Sequence, residues 1–403
     1  MATAPLLMIP GPIEISPAVL RAFSVPPPGH TAAPLLASFG TALERMRQVW
    51  QATPDSQPFV VAGGGTAAMD MAVANLTAPG DRVLVVNTGY FSDRIAEMLR
   101  RQGASVVEVK AAVGEAPTPE EVGDAMAAQG PFQALYVTHV DTSTGVRVDP
   151  EPLARLARQR GLLSVFDGVC ATAGERFAMA AWDADVYLTA SQKALGLPPG
   201  LALLVASPRA LAAGAARSAR TGSPKLPMYL DWELWQPVMR AYEERRPSYF
   251  STPATNLILA LETGLGEILE GGLETRIAAH ERTGRSLRAA WQALGLTAVP
   301  ARPELAANTL SALRFPPGVD ATLVRRILDR GVAVAGGLHP TIRNDYFRVG
   351  HMGYVTSRPD LLRRTIEAVA GALADVAGTG WKSDGEAAWA AAERHLAAAV
   401  AGS

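Results

Sequence analysis

Apolar runs of four to seven residues recur through the first half of the chain, and most are followed by a segment of helical periodicity. The runs FVVA (59–62), RVLVVN (82–87), SVVEVK (105–110), ALYVTHV (134–140), LLSVFDG (162–168), VYLTA (186–190) and LALLVAS (201–207) read as strands. Between them lie TAAMDMAVANLT, SDRIAEMLRRQG, TPEEVGDAMAAQG and EPLARLARQRG, whose apolar positions return every three or four residues. Several close on glycine, as helix C-caps do. Strands with little polar alternation, separated by helices, predict an α/β domain with a seven-stranded, mainly parallel sheet covered on both faces. In such sheets ligands bind beyond the carboxyl ends of the strands.

A long helical pattern, NLILALETGLGEILEGG, leads out of this region, and the alternation then loosens. Two helices bracket TLSALRFP (309–316); GVAVAGG (331–337) and YFRVGHMG (346–353) follow, and LLRRTIEAVAGALADVA closes the pattern. The expected division is a large domain over 1–265, a small α+β domain over 266–377, and a linker with an Ala-rich helix over 378–403. The segment 1–40 is expected to contribute to the site and to a dimer.

Composition narrows the function. The chain has 403 residues, 48% of them hydrophobic, a formal net charge of −1 and one cysteine. Near-neutral charge offers no electrostatic case for nucleic acid or a membrane surface. One cysteine allows no intrachain disulfide, which suits a reducing compartment. No apolar stretch approaches the roughly 18 residues that span a bilayer, and the start lacks a signal-peptide pattern. A cytoplasmic protein is expected.

The candidate chemistry sits at strand ends. Lys193, in LTASQKALGLPPG, has no charged neighbour nearby and lies between two apolar strands. Asp167 ends SVFDG, where a carboxylate either holds a cation or caps a helix. The turn AGGGTAAMD sets Gly64, Gly65 and Thr66 at a helix start, whose free N–H groups favour an anion. It is neither a Walker loop nor a dinucleotide fingerprint. Tyr90 or Phe91 can offer a ring face, and Thr142, Ser143 and Thr144 offer hydroxyls or turn contacts. An amine, an acid, an anion-binding turn and an aromatic along one sheet edge fit pyridoxal phosphate. The aldehyde needs an amine, the pyridine nitrogen a carboxylate, and the phosphate a helix N-terminus. His139 and His351 lack metal-ligand spacing, and no metal is expected. Cys170 reads as a small core thiol.

The sequence resembles the class V, fold-type-I aminotransferases of the alanine–glyoxylate and serine–glyoxylate group over residues 8–375. The resemblance rests on SQKALGLPPG (191–200), supported by PGP (10–12), GH (29–30), DTSTG (141–145), FDGVCA (166–171), RRPSYFSTPATN (245–256) and FRVGHMG (347–353). It implies that Lys193 forms the imine with pyridoxal phosphate and that Asp167 pairs with the pyridine nitrogen. It implies that Val169 packs on the ring and that Phe91 stacks where human-like members carry tryptophan. Gly64, Gly65, Thr66 and Gln192 would hold the phosphate, and Thr142 would lie near the phenolic oxygen. Tyr249 and Thr252 would reach the neighbouring subunit's phosphate, requiring a homodimer. Arg348 would bind the substrate carboxylate, and the loop holding Gly11 would face the substrate. The implied reaction is transamination between alanine or serine and glyoxylate.

Departures from the group bear on substrate choice. The phosphate turn reads Ala-Gly-Gly-Gly-Thr rather than Ser-Gly-Ser-Gly-His, and Gly168 stands where serine is usual. The alternatives are a pyridoxamine–pyruvate or ureidoglycine–glyoxylate aminotransferase, a lyase of the same superfamily, or a non-catalytic cofactor-binding subunit. An NAD-dependent dehydrogenase is disfavoured, because RVLVVN ends without the acid a ribose needs.

Overall fold

The computed structural model describes residues 4–220, 225–376 and 384–397. The seven expected strands form one sheet: β1 (Gln57–Ala62), β2 (Arg82–Asn87), β3 (Ser105–Lys110), β4 (Ala134–Thr138), β5 (Leu163–Asp167), β6 (Val186–Ala190) and β7 (Leu201–Ala206). Their order is β1-β7-β6-β5-β4-β2-β3. Pairs β6–β5–β4–β2–β3 are parallel, whereas β7 runs antiparallel to both β1 and β6. Strands β4, β6 and β7 are buried at every position, so no polar alternation was available to them. The edge strand β3 is half-exposed and carries charge instead: Glu108 pairs with Arg100 and Lys110.

β4 ends two residues before the apolar run does. His139 N–H donates to the Asp167 carbonyl, and the chain then folds into a hairpin of Val140–Asp141 with Val146–Arg147. Its turn needs Gly145, which has φ +71°. The helices fall where periodicity placed them: Gly65–Leu76, Tyr90–Arg101, Pro119–Gln129, Pro150–Gln159 and Thr255–Glu270. Gly130 is extended rather than left-handed, because Pro131 follows it. Further helices over Pro17–Phe23, Ala33–Val49, Pro208–Ala219 and Trp232–Glu243 cover the sheet; the last contains Pro237.

Register aligns the strand ends that matter. Thr138 lies opposite Asp167, and Asp167 opposite Leu188, so β4, β5 and β6 finish together. Because β7 runs the other way, its first residue, Leu201, lies beside Ala62 at the end of β1. Gly63 N–H donates to Gly200 O at 2.8 Å. The lysine loop and the glycine turn therefore share one edge, one strand apart.

A second buried cluster gathers Trp291, Phe347, Ile366, Leu373 and Trp389 with Leu6 and Met8. Here Leu310–Arg314, Tyr346–Gly350 and Ala335–Gly336 form an antiparallel sheet. Leu6–Leu7 pairs in parallel with Val332–Ala333. From there the N-terminal segment crosses Gly350, whose N–H donates to Met8 O at 2.7 Å, on its way to the sheet edge. Helix Gly385–Ala397 packs on Leu273–Ala293 and Pro359–Val376, with Arg363 reaching Glu386 at 2.7 Å. Of the expected tail, residues 378–383 and 398–403 lie outside the described residues.

Candidate active site

Lys193 is 9% exposed, on a loop held by Ser191. The Ser191 hydroxyl donates to Pro198 O at 2.7 Å and accepts from Leu201 N–H at 3.1 Å. The lysine Nζ donates to the Pro10 carbonyl, its only hydrogen bond among the described residues, and forms no ion pair. Burial pulls its pKa below the usual lysine range; the nearby Arg348 charge acts the same way, while Cys170 and Asp167 oppose it. Gly11, at φ +96°, lies on the lysine stem: a Cβ there would stand 2.7 Å from Lys193 Cδ and 2.8 Å from Gln192 O. Only glycine fits that approach.

Asp167 ends β5 at 2% exposure. Its carboxylate has a single hydrogen bond among the described residues, from Val169 N–H at 2.8 Å to Oδ1. Burial pushes its pKa up to about 7; the Val169 bond, Lys193 and Arg94 lower it, and Asp141 raises it. No helix follows, so the capping alternative does not apply here. Gly168 is required by its neighbour: a Cβ there would lie 2.2 Å from the Tyr187 ring, which stacks on Phe177 at 3.7 Å and meets His139 Nδ1 at 3.0 Å.

The glycine turn opens helix Gly65–Leu76 without a side-chain cap. A Cβ on Gly64 would meet nothing within 4 Å, while one on Gly65 would strike Val169 Cγ2 at 2.7 Å. The turn thus packs on the Asp167 loop yet leaves its free N–H groups an open face. Thr66 is exposed, and Gln192 leaves its amide oxygen buried without a hydrogen-bond partner among the described residues.

The hydroxyl cluster divides. Ser143 Oγ accepts from Tyr90 N–H at 3.0 Å, and Thr144 Oγ1 donates to Thr88 O at 3.1 Å, so both serve turns. Asp141 accepts from the Phe91 and Ser92 N–H groups and from Ser143, fixing the start of helix Tyr90–Arg101. That leaves Thr142, whose carbonyl accepts from Arg348 Nη1 at 3.2 Å. Arg348 also donates Nε to Gly336 O at 2.9 Å and has no ion-pair partner among the described residues. A half-buried guanidinium held only by carbonyls keeps its charge for an anion.

Lys193, Asp167, Val169, Cys170, Thr142, Arg348 and Gly11 therefore converge, with Gly64, Gly65, Thr66 and Phe91 adjoining. Tyr249 and Thr252 stand apart, both exposed, with Tyr249 against His30 at 5.4 Å between ring centroids. Sequence reading missed Arg94, which touches Thr66, and Arg276, whose Nη2 donates to Ala194 O at 2.9 Å from the neighbouring helix. Among the described residues no cluster of three metal-ligating side chains occurs, and no helix is long and apolar enough to cross a membrane.

These residues fit pyridoxal phosphate, which asks for an amine without a counter-ion, a buried acid and an open helix start. A mainly parallel sheet that brings them to one edge is the framework of the fold-type-I pyridoxal-phosphate enzymes, and this molecule is one of them. Within that class, the chain belongs to the class-V aminotransferase family, whose model matches residues 30–356. It is 38% identical over 367 residues to alanine–glyoxylate aminotransferase 1 of Saccharomyces cerevisiae, covering 88% of this chain and 94% of that protein. It is 31% identical over 356 residues to serine–glyoxylate aminotransferase of Arabidopsis thaliana, covering 87% of this chain and 86% of that one. The crystal structure of an alanine–glyoxylate aminotransferase from Nostoc sp. matches with a TM-score of 0.85 at 32% identity, over 93% of this chain and 96% of that one.

Proposed function

We propose that the protein transfers the amino group of alanine or serine to glyoxylate, yielding glycine and a 2-oxo acid. The observation that carries this is the convergence of an amine without a counter-ion, a buried acid and an unpaired guanidinium: Lys193, Asp167 and Arg348. Bound pyridoxal phosphate supplies an aldehyde for amines and a ring that takes up electrons from the substrate. The side chains do the rest. Arg348 anchors the substrate carboxylate and so orients its α-carbon. Lys193 Nζ, kept basic but below its ordinary pKa, would take the proton from the substrate α-carbon and deliver it to the carbon of the cofactor's former aldehyde, which is what moves the amino group. Asp167 would keep a proton on the ring nitrogen, a pairing its burial strengthens.

Phe91 would stack on the cofactor ring and Val169 would pack against it. Gly64, Gly65, Thr66 and Gln192 would hold the phosphate, Thr142 would serve the phenolic oxygen, and Gly11 would border the substrate. Tyr249 and Thr252 complete the site of a second copy, so the working unit is a homodimer. The exposure of Tyr249 at 64%, Met228 at 65% and Leu20 at 52% supports such an interface. We propose a large unit over 1–265 and a small one over 266–377; the two buried clusters support a boundary near 265, although Leu6, Met8 and Trp389 pack with the small unit. The cell compartment we propose is the cytoplasm.

The test is spectroscopic. Adding alanine or serine to the holoenzyme should replace its visible absorbance band with a shorter-wavelength one, and glyoxylate should restore it. Recovery with pyruvate but not glyoxylate would overturn the acceptor. Arg348→Lys should raise the donor KM by roughly 10- to 100-fold with a smaller change in kcat, since an ammonium cannot make the fork contact. Steady-state kinetics with each donor checks it.

A further inference from the structure

Arg94 lies one turn after Phe91 on helix Tyr90–Arg101. Its Nη1 donates to Thr66 Oγ1 at 2.9 Å and its Nη2 to Tyr90 Oη at 3.1 Å. The guanidinium carbon stands 5.0 Å from the ring centroids of both Tyr90 and Phe91. Its helix neighbours are neutralised: Arg100 by Glu108, Arg101 by Glu97. Arg94 forms no ion pair among the described residues. Its charge also reaches Asp167, whose pKa it helps to lower against burial. Its contacts place it against the glycine turn, through Thr66, and beside Phe91.

That turn offers an uncapped helix start, one hydroxyl and no charge of its own. Because Thr66 Oγ1 accepts from the guanidinium, its O–H is left to donate elsewhere, and the adjacent cation makes it a stronger donor. We infer that Arg94 is a phosphate-positioning residue: through Thr66 it supplies the positive charge that holds the phosphate monoester of the cofactor at this helix start. The inference rests on the pyridoxal-phosphate reading of the site. The two rings hold the guanidinium close by cation–π attraction while its N–H groups make the hydrogen bonds.

The experiment compares binding of pyridoxal phosphate with binding of pyridoxal, which lacks the phosphate, to the cofactor-stripped protein by absorbance titration. Arg94→Gln should weaken pyridoxal phosphate roughly 10- to 100-fold, the scale of one or two charge-assisted hydrogen bonds. Its affinity for pyridoxal should stay within about twofold of wild type, since a glutamine keeps the side chain beside the Tyr90 and Phe91 rings and the charge that is lost acts mainly on the phosphate. Arg94→Lys should recover part of the loss. The wild-type affinity for pyridoxal phosphate should also fall more steeply with salt than that of Arg94→Gln. An equal loss for both ligands, or no loss for either, overturns the inference: Arg94 would then only support the Phe91 ring or the fold. If wild type itself showed no preference for the phosphate form, the cofactor reading would fail along with it. Should Arg94→Gln not fold, the lysine variant and the salt dependence of wild type still decide.

Discussion

Replacing Lys193 by alanine lowers turnover by at least about 1,000-fold, because one substitution removes both the amine that receives the cofactor and the base that moves the α-proton. The fold should survive. Among the described residues the Lys193 side chain makes one hydrogen bond, to the Pro10 carbonyl, and its buried ammonium has no ion pair. Removing a desolvated cation of that kind relieves a cost rather than creating one. Melting curves within a few degrees of wild type would separate lost chemistry from lost structure. Borohydride reduction of the holoenzyme, followed by digestion and mass analysis, should place the cofactor on the peptide containing Lys193; the alanine variant should yield no such adduct. Retained turnover, or an adduct on another lysine, would remove the centre of the proposed mechanism.

Replacing Asp167 by asparagine has two effects of opposite sign. With cofactor bound, turnover should fall by roughly 100- to 10,000-fold, the range for one essential acid–base or electrostatic partner. Without cofactor, the same change should stabilise the protein at alkaline pH. The carboxyl titrates near 3.8 in the unfolded chain and at about 7 in the fold, so between those values the folded state holds a proton the unfolded state has released. Stability from this group therefore declines as pH rises through that window, and above pH 7 the loss reaches about 4 kcal/mol. Asparagine has no charge to bury and escapes the decline. Thermal melting of both cofactor-stripped proteins at pH 5 and pH 8 checks it: the variant should gain on wild type at pH 8. An Asp167→Asn protein that melts below wild type at pH 8 would mean a cation already neutralises that carboxylate.

Much of this site was legible in the chain because strand ends announce themselves. Asp167 and Lys193 are polar residues that interrupt apolar runs, and Gly64 and Gly65 open a helix without a cap. What could not be read depends on contacts far apart in sequence. Pro10 and Lys193 are 183 residues apart, and Arg94 and Thr66 are 28 apart, so no periodicity links them. Among Ser143, Thr144 and Thr142 the local chemistry is equivalent; only Tyr90 N–H and the Thr88 carbonyl show which two are already engaged. The reversal of β7 was hidden too. LALLVA is apolar at every position, and a strand buried on both faces reads the same in either direction. The overlong reading of β4 has a related cause: His139 and Val140 are buried, so burial continues after the ladder has stopped. Gly168, which stands where serine is usual, is explained only by the fold, because the Tyr187 ring fills the space a side chain would need.

The antiparallel return of β7 has a dynamic consequence. Both ends of the segment bearing the amine are stitched into neighbouring ladders, and Ser191 clasps its start to its end. Whatever excursion Nζ makes during a catalytic cycle is therefore confined to four methylenes swinging about a stationary backbone. Proton delivery should thus require side-chain rotation alone and no opening of the loop.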